Sequence, residues 1–216
     1  MSGPFVIAVD GPAASGKGTI AHRLGEAYDL PVLDSGLLYR AVGVLAARGG
    51  LDLDDVVAVS GVARALTAEM LGDPAFRTRE AGEAASRVAI HTPVRLALRE
   101  MQQGFARRPD GSVIDGRDIG TVIAPDAPAK LYVTATPEVR AERRWKQLKG
   151  QGEAVSFEEV LDDIRKRDAR DGGRADSPMR QADDAILLDT TEMTIEHATD
   201  AARRIVEAAR ARWEQS

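Results

Sequence analysis

The sequence contains no cysteine and few aromatic residues, and these absences exclude several classes of protein. Without cysteine among its 216 residues, the chain has no disulfide framework, no thiolate zinc site and no cysteine nucleophile. Aromatic residues make up only 4% of the sequence, which leaves few platforms for stacking nucleic-acid bases. We therefore expect an intracellular enzyme and not a general nucleic-acid binder.

Long apolar runs and an excess of positive charge are also missing. No stretch approaches the roughly 18 apolar residues of a membrane span, and no basic leader precedes an apolar segment at the N-terminus. Because the formal net charge is −5, recognition of anions must depend on local arginine clusters. The 44% of hydrophobic residues suffices for a full core. We expect one cytoplasmic, monomeric domain that binds neither membranes nor nucleic acid.

Residues 5–19, FVIAVDGPAASGKGT, have the pattern of a phosphate-binding loop. An apolar strand pattern leads into a glycine-rich turn, and Gly11, Gly16 and Lys17 fit the spacing G-x-x-x-x-G-K. Glycines let successive backbone N–H groups surround an anion, and the start of the next helix and Lys17 add positive charge. A glycine-rich turn alone fits any tight loop, but the strand before it and the amphipathic pattern after it favour phosphate binding. Gly18 moves the usual hydroxyl residue to Thr19, as in nucleoside monophosphate kinases.

A second motif, DSGLLYR, follows the short strand pattern at residues 32–33. Asp34 or Ser35 is predicted to cap the helix that begins here, and capping alone would explain Asp34. Arg40 lies one turn into that helix, which starts at the carboxyl end of a strand, where open parallel sheets bind ligands. Its planar guanidinium is suited to a phosphate.

A third motif, SVIDGRDIGT at residues 112–121, places charged residues directly after another buried-strand pattern. Asp115 is a candidate to orient Arg117 or a metal-bound water, and Asp118 to accept hydrogen bonds from a substrate. Asp-Gly is also the commonest turn dipeptide, so a purely structural turn stays open as an alternative. The position after a strand favours a functional site.

Helical patterns fill residues 49–105, where we predict an insertion with a small hairpin around residues 66–76. Most of its polar candidates would simply solvate helix faces; they are Arg77, Ser86, Arg87, Arg95 and Arg99. After a fourth strand pattern at residues 130–135, two helices at residues 137–149 and 156–170 carry arginines at both outer ends. This pair suggests a lid over phosphates, although a solvated charged hairpin would also explain its mixed charges. A fifth strand pattern at residues 185–188, followed by Asp189, and a closing helix at residues 195–213 complete the chain.

In this order and at these separations, DGPAASGKGT, LDSGLLYR, DGRDIGTV and RKRDARDGGR resemble the bacterial cytidylate kinase family. Its members are P-loop nucleoside monophosphate kinases that phosphorylate CMP and dCMP with ATP. The resemblance covers nearly the whole chain. It implies an α/β fold: a three-layer sandwich with a central parallel five-stranded sheet, a helical NMP-binding insertion and a short helical lid. In a single kinase domain, 1–216, the core would span about 1–48, 106–138 and 180–216, the insertion about 49–105 and the lid about 139–179.

The resemblance also implies roles for individual residues. Those expected to hold the ATP phosphates are Gly11, Pro12, Ala13, Ala14, Ser15, Gly16, Lys17, Gly18 and Thr19. Lid arginines that would add charge there are Arg143, Arg144 and Arg170. Arginines that would surround the CMP phosphate are Arg40, Arg95, Arg117 and Arg174, and the remaining substrate contacts would come from Ser35, Ser86, Asp115, Asp118, Arg167 and Asp171. Of these, Ser86, Arg95 and Asp118 would contact cytosine, and Arg167 and Asp171 the sugar. Lys17, Arg117 and Arg174 would be catalytic, and Mg²⁺ would arrive with ATP, with Thr19 as its one candidate protein contact.

Other functions fit parts of the sequence. A kinase for UMP, AMP or a small alcohol would share the phosphate loop. A nucleotide-switched binding module would also have one, although the chain lacks the N-K-x-D signature of guanine-specific switches. The arginines between residues 140 and 174 would serve a nucleic-acid binder, which the acidic overall charge disfavours.

Overall fold

The computed structural model describes residues 3–215, which form the predicted α/β architecture. The strands are β1 Val6–Asp10, β2 Val32–Asp34, β3 Ser112–Gly116, β4 Ala129–Thr134 and β5 Ile186–Asp189. The α-helices are α1 Lys17–Tyr28, α2 Ser35–Arg48, α3 Val56–Ala65, α4 Arg79–Val88, α5 Thr92–Ala106, α6 Pro137–Gly150, α7 Phe157–Gly172 and α8 Ile195–Trp213. Two compact units are present, one made of residues 3–32 and 106–215 and the other of residues 33–105.

The five strands form one parallel sheet, as the family resemblance implies, and their order in the sheet is β2-β3-β1-β4-β5. All residues of β1 and β3 are buried, and the centres of both strands are apolar, as expected for a parallel sheet covered on both faces. Asp10 lies opposite Gly116 of β3 and Tyr132 of β4, so these three strands end at nearly the same level. Apolar side chains of the sheet pack against those of α1 and α8. The helix residues in this core include Ile20 and Leu24 of α1 and Val206 of α8. The loops after β1 and β3 therefore emerge together at one edge of the sheet.

The unit of residues 33–105 is helical, as predicted, and contains no strand between residues 49 and 105. Its apolar core is built mainly from α2, α3, α4 and α5. Gly43 lets α2 and α4 approach closely, because a Cβ at this position would lie 2.7 Å from the Cβ of Ala84. The α2 helix is capped by Asp34, whose Oδ1 accepts from the Leu37 N–H at 3.2 Å.

The hairpin predicted around residues 66–76 is wrong. Two short 3₁₀ helices, Ala68–Gly72 and Pro74–Arg77, occupy this segment. Asp73 begins the second one by accepting from the Ala75 N–H at 2.8 Å, and Pro74 supplies the backbone angle suited to a first helical turn. The local turn chemistry therefore outweighs the apolar pattern that suggested strands.

Helices α6 and α7 form a hairpin, here called the α6–α7 hairpin, as predicted for the lid segment. Its apolar core is Ala141, Leu148, Val160 and Ile164. Ser156 begins α7 with a capping box, since its Oγ accepts from the Glu159 N–H while the Glu159 carboxylate accepts from the Ser156 N–H. The role of this hairpin as a lid and the division of the chain into core, insertion and lid stay predictions. Among residues 3–215, no helix combines the length and apolar character needed to cross a membrane.

Candidate active site

The loop between β1 and α1 has the backbone geometry of an anion cradle. Gly11, Ala14 and Gly16 have φ angles of +145°, +60° and +90°. Gly11 is required, because a Cβ there would lie 1.9 Å from the Val133 carbonyl oxygen. No described side chain caps the N-terminus of α1, and its first turn contains no acidic residue. The N–H groups and the helix dipole are thus suited to the phosphates of a nucleotide.

Polar side chains around this loop also suit an anionic ligand. Ser15 is fully buried, and its hydroxyl has no hydrogen-bond partner among residues 3–215. Lys17 begins α1, and its Nζ lies 3.6 Å from Oδ2 of buried Asp115 at the end of β3. Because β1 and β3 are neighbours in the sheet, Lys17 of the phosphate loop lies beside Asp115 of the third motif. Asp115 contacts Lys17 here, and its assignment to the substrate stays a prediction.

Asp171 on α7 forms ion pairs with three arginines that the family resemblance assigns to the acceptor nucleotide. Its carboxylate is almost fully buried and pairs with Arg117 Nε at 3.0 Å, with Arg174 Nη2, and with Arg167 Nε at 4.0 Å. Burial alone would raise the pKa of Asp171, but the charges of Arg117, Arg174 and Arg167 outweigh it and hold the pKa below its ordinary value. This arrangement concentrates guanidinium groups as a phosphate site requires.

Asp10 is a polar residue of this region that the sequence analysis missed. Its buried carboxylate accepts hydrogen bonds from the N–H groups of Ile119 at 2.8 Å and Gly120 at 2.7 Å. Burial raises the pKa of Asp10 to about 7, against the lowering effect of these two N–H groups. Asp10 thereby fixes the segment that follows Arg117 and Asp118 to the end of β1. A carboxylate that ends an otherwise apolar strand was the signal available in the sequence.

Asp118 itself is buried, and its backbone carbonyl begins the π-helical turn Ile119–Ile123 by accepting from Val122 and Ile123. Its side chain does not cap this turn. The cap of this turn therefore does not account for the carboxylate, and its role in substrate recognition stays a prediction.

Within the unit of residues 33–105, the predicted substrate residues occupy defined environments. Arg95 is buried with its guanidinium 5.6 Å from the ring centroid of Tyr39. Ser86 is also buried, and its hydroxyl finds no hydrogen-bond partner among residues 3–215. Arg40 pairs with the cap residue Asp34 at 2.5 Å, and Ser35 is buried as the first residue of α2. Arg87, in contrast, forms an exposed ion pair with Asp54, as expected for a residue on a solvated helix face.

The predicted lid arginines differ in what they contact. Arg143 Nη1 donates to Thr190 Oγ1 at 2.9 Å, and its Nη2 donates to the Thr190 carbonyl at 2.6 Å. Burial lowers the pKa of Arg143, while the nearby carboxylate of Asp189 opposes this effect. Arg144 donates to Gln147 Oε1 at 2.8 Å, and Arg170 is half-buried on α7. Their predicted contacts with ATP stay predictions.

No metal centre built from protein side chains is found in the described part of the chain, where no three histidine or carboxylate residues cluster suitably. Thr19 lies on the first turn of α1 with its side chain exposed beside the phosphate loop. A hydroxyl in this position fits contact with a cation that accompanies a nucleotide. Delivery of Mg²⁺ by ATP stays a prediction.

Comparison with known proteins yields a family. A family model described as cytidylate kinase matches residues 7–209. A curated cytidylate kinase of Caulobacter vibrioides is 71% identical over 208 residues, covering 96% of this chain and 98% of that protein. A cytidylate kinase of Xanthobacter autotrophicus is 59% identical over 207 residues, covering 96% and 99%.

Solved structures of lower identity support the fold alone. An uncharacterized protein from Eubacterium ventriosum superposes with a TM-score of 0.57 at 15% identity, covering 94% of this chain and 98% of that chain. A sugar kinase from Janibacter, solved without ligand, gives a TM-score of 0.51 at 16% identity, with 94% and 95% covered. Taken with the phosphate loop and the arginine cluster around Asp171, the family match and the full-length relatives establish that this chain belongs to the cytidylate kinase family of phosphotransferases.

Proposed function

We propose that this chain transfers the γ-phosphoryl group of ATP to CMP and dCMP, producing CDP and dCDP. The observation that carries the proposal is the presence, in one compact unit, of an anion cradle with Lys17 and an arginine cluster around Asp171. Two phosphate-bearing ligands need two such sites. Membership of the cytidylate kinase family supports CMP and dCMP as the acceptors. We further propose that the enzyme is cytoplasmic and monomeric and does not act on nucleic acid.

The proposed mechanism is direct in-line transfer, which depends on positioning and charge. The attacking group is already a phosphate oxygen of the acceptor, so the reaction needs no dedicated general base. The loop N–H groups and Lys17 would hold the donor phosphates, with Mg²⁺ neutralising part of their charge. Arg117 and Arg174 would hold the acceptor phosphate, and charge from Arg143, Arg144 and Arg170 would add to the donor side. Closure of the α6–α7 hairpin would exclude water that otherwise hydrolyses ATP.

The remaining substrate residues keep the roles that the family resemblance implies. Arg40 and Arg95 would contribute to binding the CMP phosphate, Arg167 and Asp171 would contact the sugar, and Ser35 would be a further substrate contact. Cytosine presents an exocyclic amino donor beside ring acceptors, so a carboxylate paired with an arginine can recognise both. We assign this recognition to Asp118 and Arg95, with Ser86 as a third contact.

Asp118→Ala should weaken CMP binding far more than ATP binding. The substitution removes the proposed acceptor for the cytosine amino group and leaves the phosphate loop unchanged. We expect the KM for CMP to rise by about 10- to 100-fold, on the order of the 1–3 kcal/mol expected for a specific base contact. Steady-state kinetics with each nucleotide varied in turn measures the effect. Asp126→Ala, an exposed carboxylate in the following loop, is the matched control. Equal losses for both nucleotides would remove Asp118 from the base site.

The proposed function is tested by a coupled ADP-release assay with ATP and Mg²⁺ against CMP, dCMP, UMP, AMP and GMP in parallel. Strong turnover confined to CMP and dCMP is the expected result. Turnover with UMP or AMP instead would move the chain to a related kinase activity. Failure with every monophosphate would contradict the proposal and favour another acceptor or a nucleotide-switched binding module.

A further inference from the structure

Three consecutive residues of the phosphate loop, Ala13, Ala14 and Ser15, contact the α6–α7 hairpin. Ser15 also contacts Thr190, which is itself bound to Arg143 of the hairpin. The Ala13 carbonyl accepts from Arg140 Nη1 at 3.2 Å, and the Ala14 side chain packs against the apolar core of the hairpin. The Ser15 carbonyl accepts from Thr190 Oγ1 at 3.1 Å and from Arg143 Nη1 at 3.4 Å. The conformation of the loop at residues 13–15 is therefore stabilised by side chains from other elements and not by its own backbone alone.

Arg140 is the most constrained of these side chains. It is buried, and its Nε donates to the Ala135 carbonyl at 2.9 Å, just beyond β4. Its two terminal nitrogens also form a forked pair with Asp168 of α7, at 3.1 Å to Oδ1 and 2.5 Å to Oδ2. A forked pair fixes the plane of a guanidinium as well as its position. Arg140 thus joins the end of β4, the phosphate loop and α7 in one rigid contact.

The backbone conformation of Ala14 also indicates that the phosphate loop depends on the α6–α7 hairpin. Its φ of +60° lies in the left-handed region, which a non-glycine residue seldom adopts. A glycine would adopt this angle without strain, but it would have no methyl group to contact the hairpin core. Packing against that core gives a physical reason for an alanine at this left-handed position.

We propose that Arg140 and Asp168 form a positioning pair that fixes the phosphate loop relative to α7. The affinity for ATP then depends on the position of the α6–α7 hairpin. Neither residue touches a reacting atom; both act through the carbonyl of Ala13 and the loop that contains it. The inference rests on the proposed function in one respect, namely that the loop binds ATP.

Asp168→Asn tests the pair. The amide retains one acceptor oxygen but loses the charge and the second acceptor, so Arg140 is no longer held in a fork. We expect the KM for ATP to rise about tenfold, because small displacements in a phosphate site are costly, while the KM for CMP changes less than about twofold. Calorimetric titration with ATP alone should show the same weakening without any turnover.

Glu138→Gln is the matched control. It breaks the ion pair between Glu138 and Arg165, which also joins α6 to α7 at 2.9 Å, but whose side chains are more than half exposed. The control should leave both KM values and the calorimetric ATP affinity unchanged. If Asp168→Asn does not fold, Arg140→Lys takes its place, since it keeps the charge but cannot form the fork.

The outcomes separate the two proposals. An unchanged ATP affinity in Asp168→Asn, or equal losses for ATP and CMP, would overturn the positioning role while leaving the kinase assignment intact. A similar loss of ATP affinity in Glu138→Gln would attribute the effect to general weakening of the hairpin and would also overturn it. Absence of ATP binding by the unmodified protein would contradict both the inference and the proposed function.

Discussion

Lys17→Ala is expected to reduce the rate of CMP phosphorylation by about 10²- to 10³-fold, the scale typical for loss of a group that stabilises transition-state charge. Lys17 follows a loop whose glycines and helix start are already suited to phosphates, and its ammonium group adds a positive charge to that cradle. In the transition state, negative charge builds up on the oxygens between the donor and acceptor phosphates. A neutral side chain cannot stabilise this charge as the Lys17 ammonium group does. The measurement is kcat with saturating ATP and CMP.

A loss of folding must be separated from a loss of chemistry, because Lys17 lies beside buried Asp115. Circular dichroism and thermal unfolding establish that the variant is folded at the assay temperature. The double variant Lys17→Ala/Asp115→Asn removes the carboxylate charge left behind and should stay equally inactive. Lys146→Ala, which removes an exposed lysine on α6, should retain full activity. Near-normal turnover by Lys17→Ala would refute the assignment of the phosphate loop.

Asp171→Ala should lower the free energy of unfolding by about 3 kcal/mol or more and weaken CMP binding beyond detection in ordinary assays. The buried carboxylate balances guanidinium groups of Arg117, Arg174 and Arg167, and removal of one partner from a buried ionic cluster leaves the others poorly compensated. The same arginines would also lose the orientation that the acceptor phosphate needs. Urea denaturation and a CMP titration measure the two effects.

The stability difference between Asp171→Ala and the unmodified protein should depend on pH with a definite sign. Since the folded-state pKa of Asp171 lies below the ordinary value of 3.8, its ionised form stabilises the fold above about pH 4. This contribution disappears as the pH falls through the folded-state pKa, so the two stability curves should converge in acid. Asp162→Ala breaks an exposed ion pair with Lys166 on the same helix and should cost about 0.5 kcal/mol or less. A pH-independent difference would mean that packing, and not charge, explains the loss.

Short-range chemistry was readable from the sequence. Asp34 and Ser156 cap the helices that they were expected to begin, because a cap involves residues only three positions apart. The apolar patterns also located all five strands to within a residue or two. Residues 66–76 were misassigned because their apolar residues gave a weak strand signal, while Asp73 and Pro74 determined the local turns.

Long-range contacts were not readable in the same way. Asp10, Arg140 and Thr190 all bind main-chain groups of segments 109, 127 and 175 residues away in the chain. A backbone N–H or carbonyl carries no sequence identity, so no residue pattern marks it as a partner. The motifs indicated that Arg117, Asp171 and Arg174 serve one site, but only the fold places the three side chains around one buried carboxylate.

The most direct test of this account is chromatographic measurement of all nucleotides after incubation of the protein with ATP, Mg²⁺ and CMP. Direct transfer between two bound nucleotides predicts one CDP formed for each ADP released, with no free phosphate above background. Release of ADP and phosphate without CDP would contradict the account, because it would make the phosphate loop that of a nucleotide hydrolase and leave the arginine cluster around Asp171 without its acceptor.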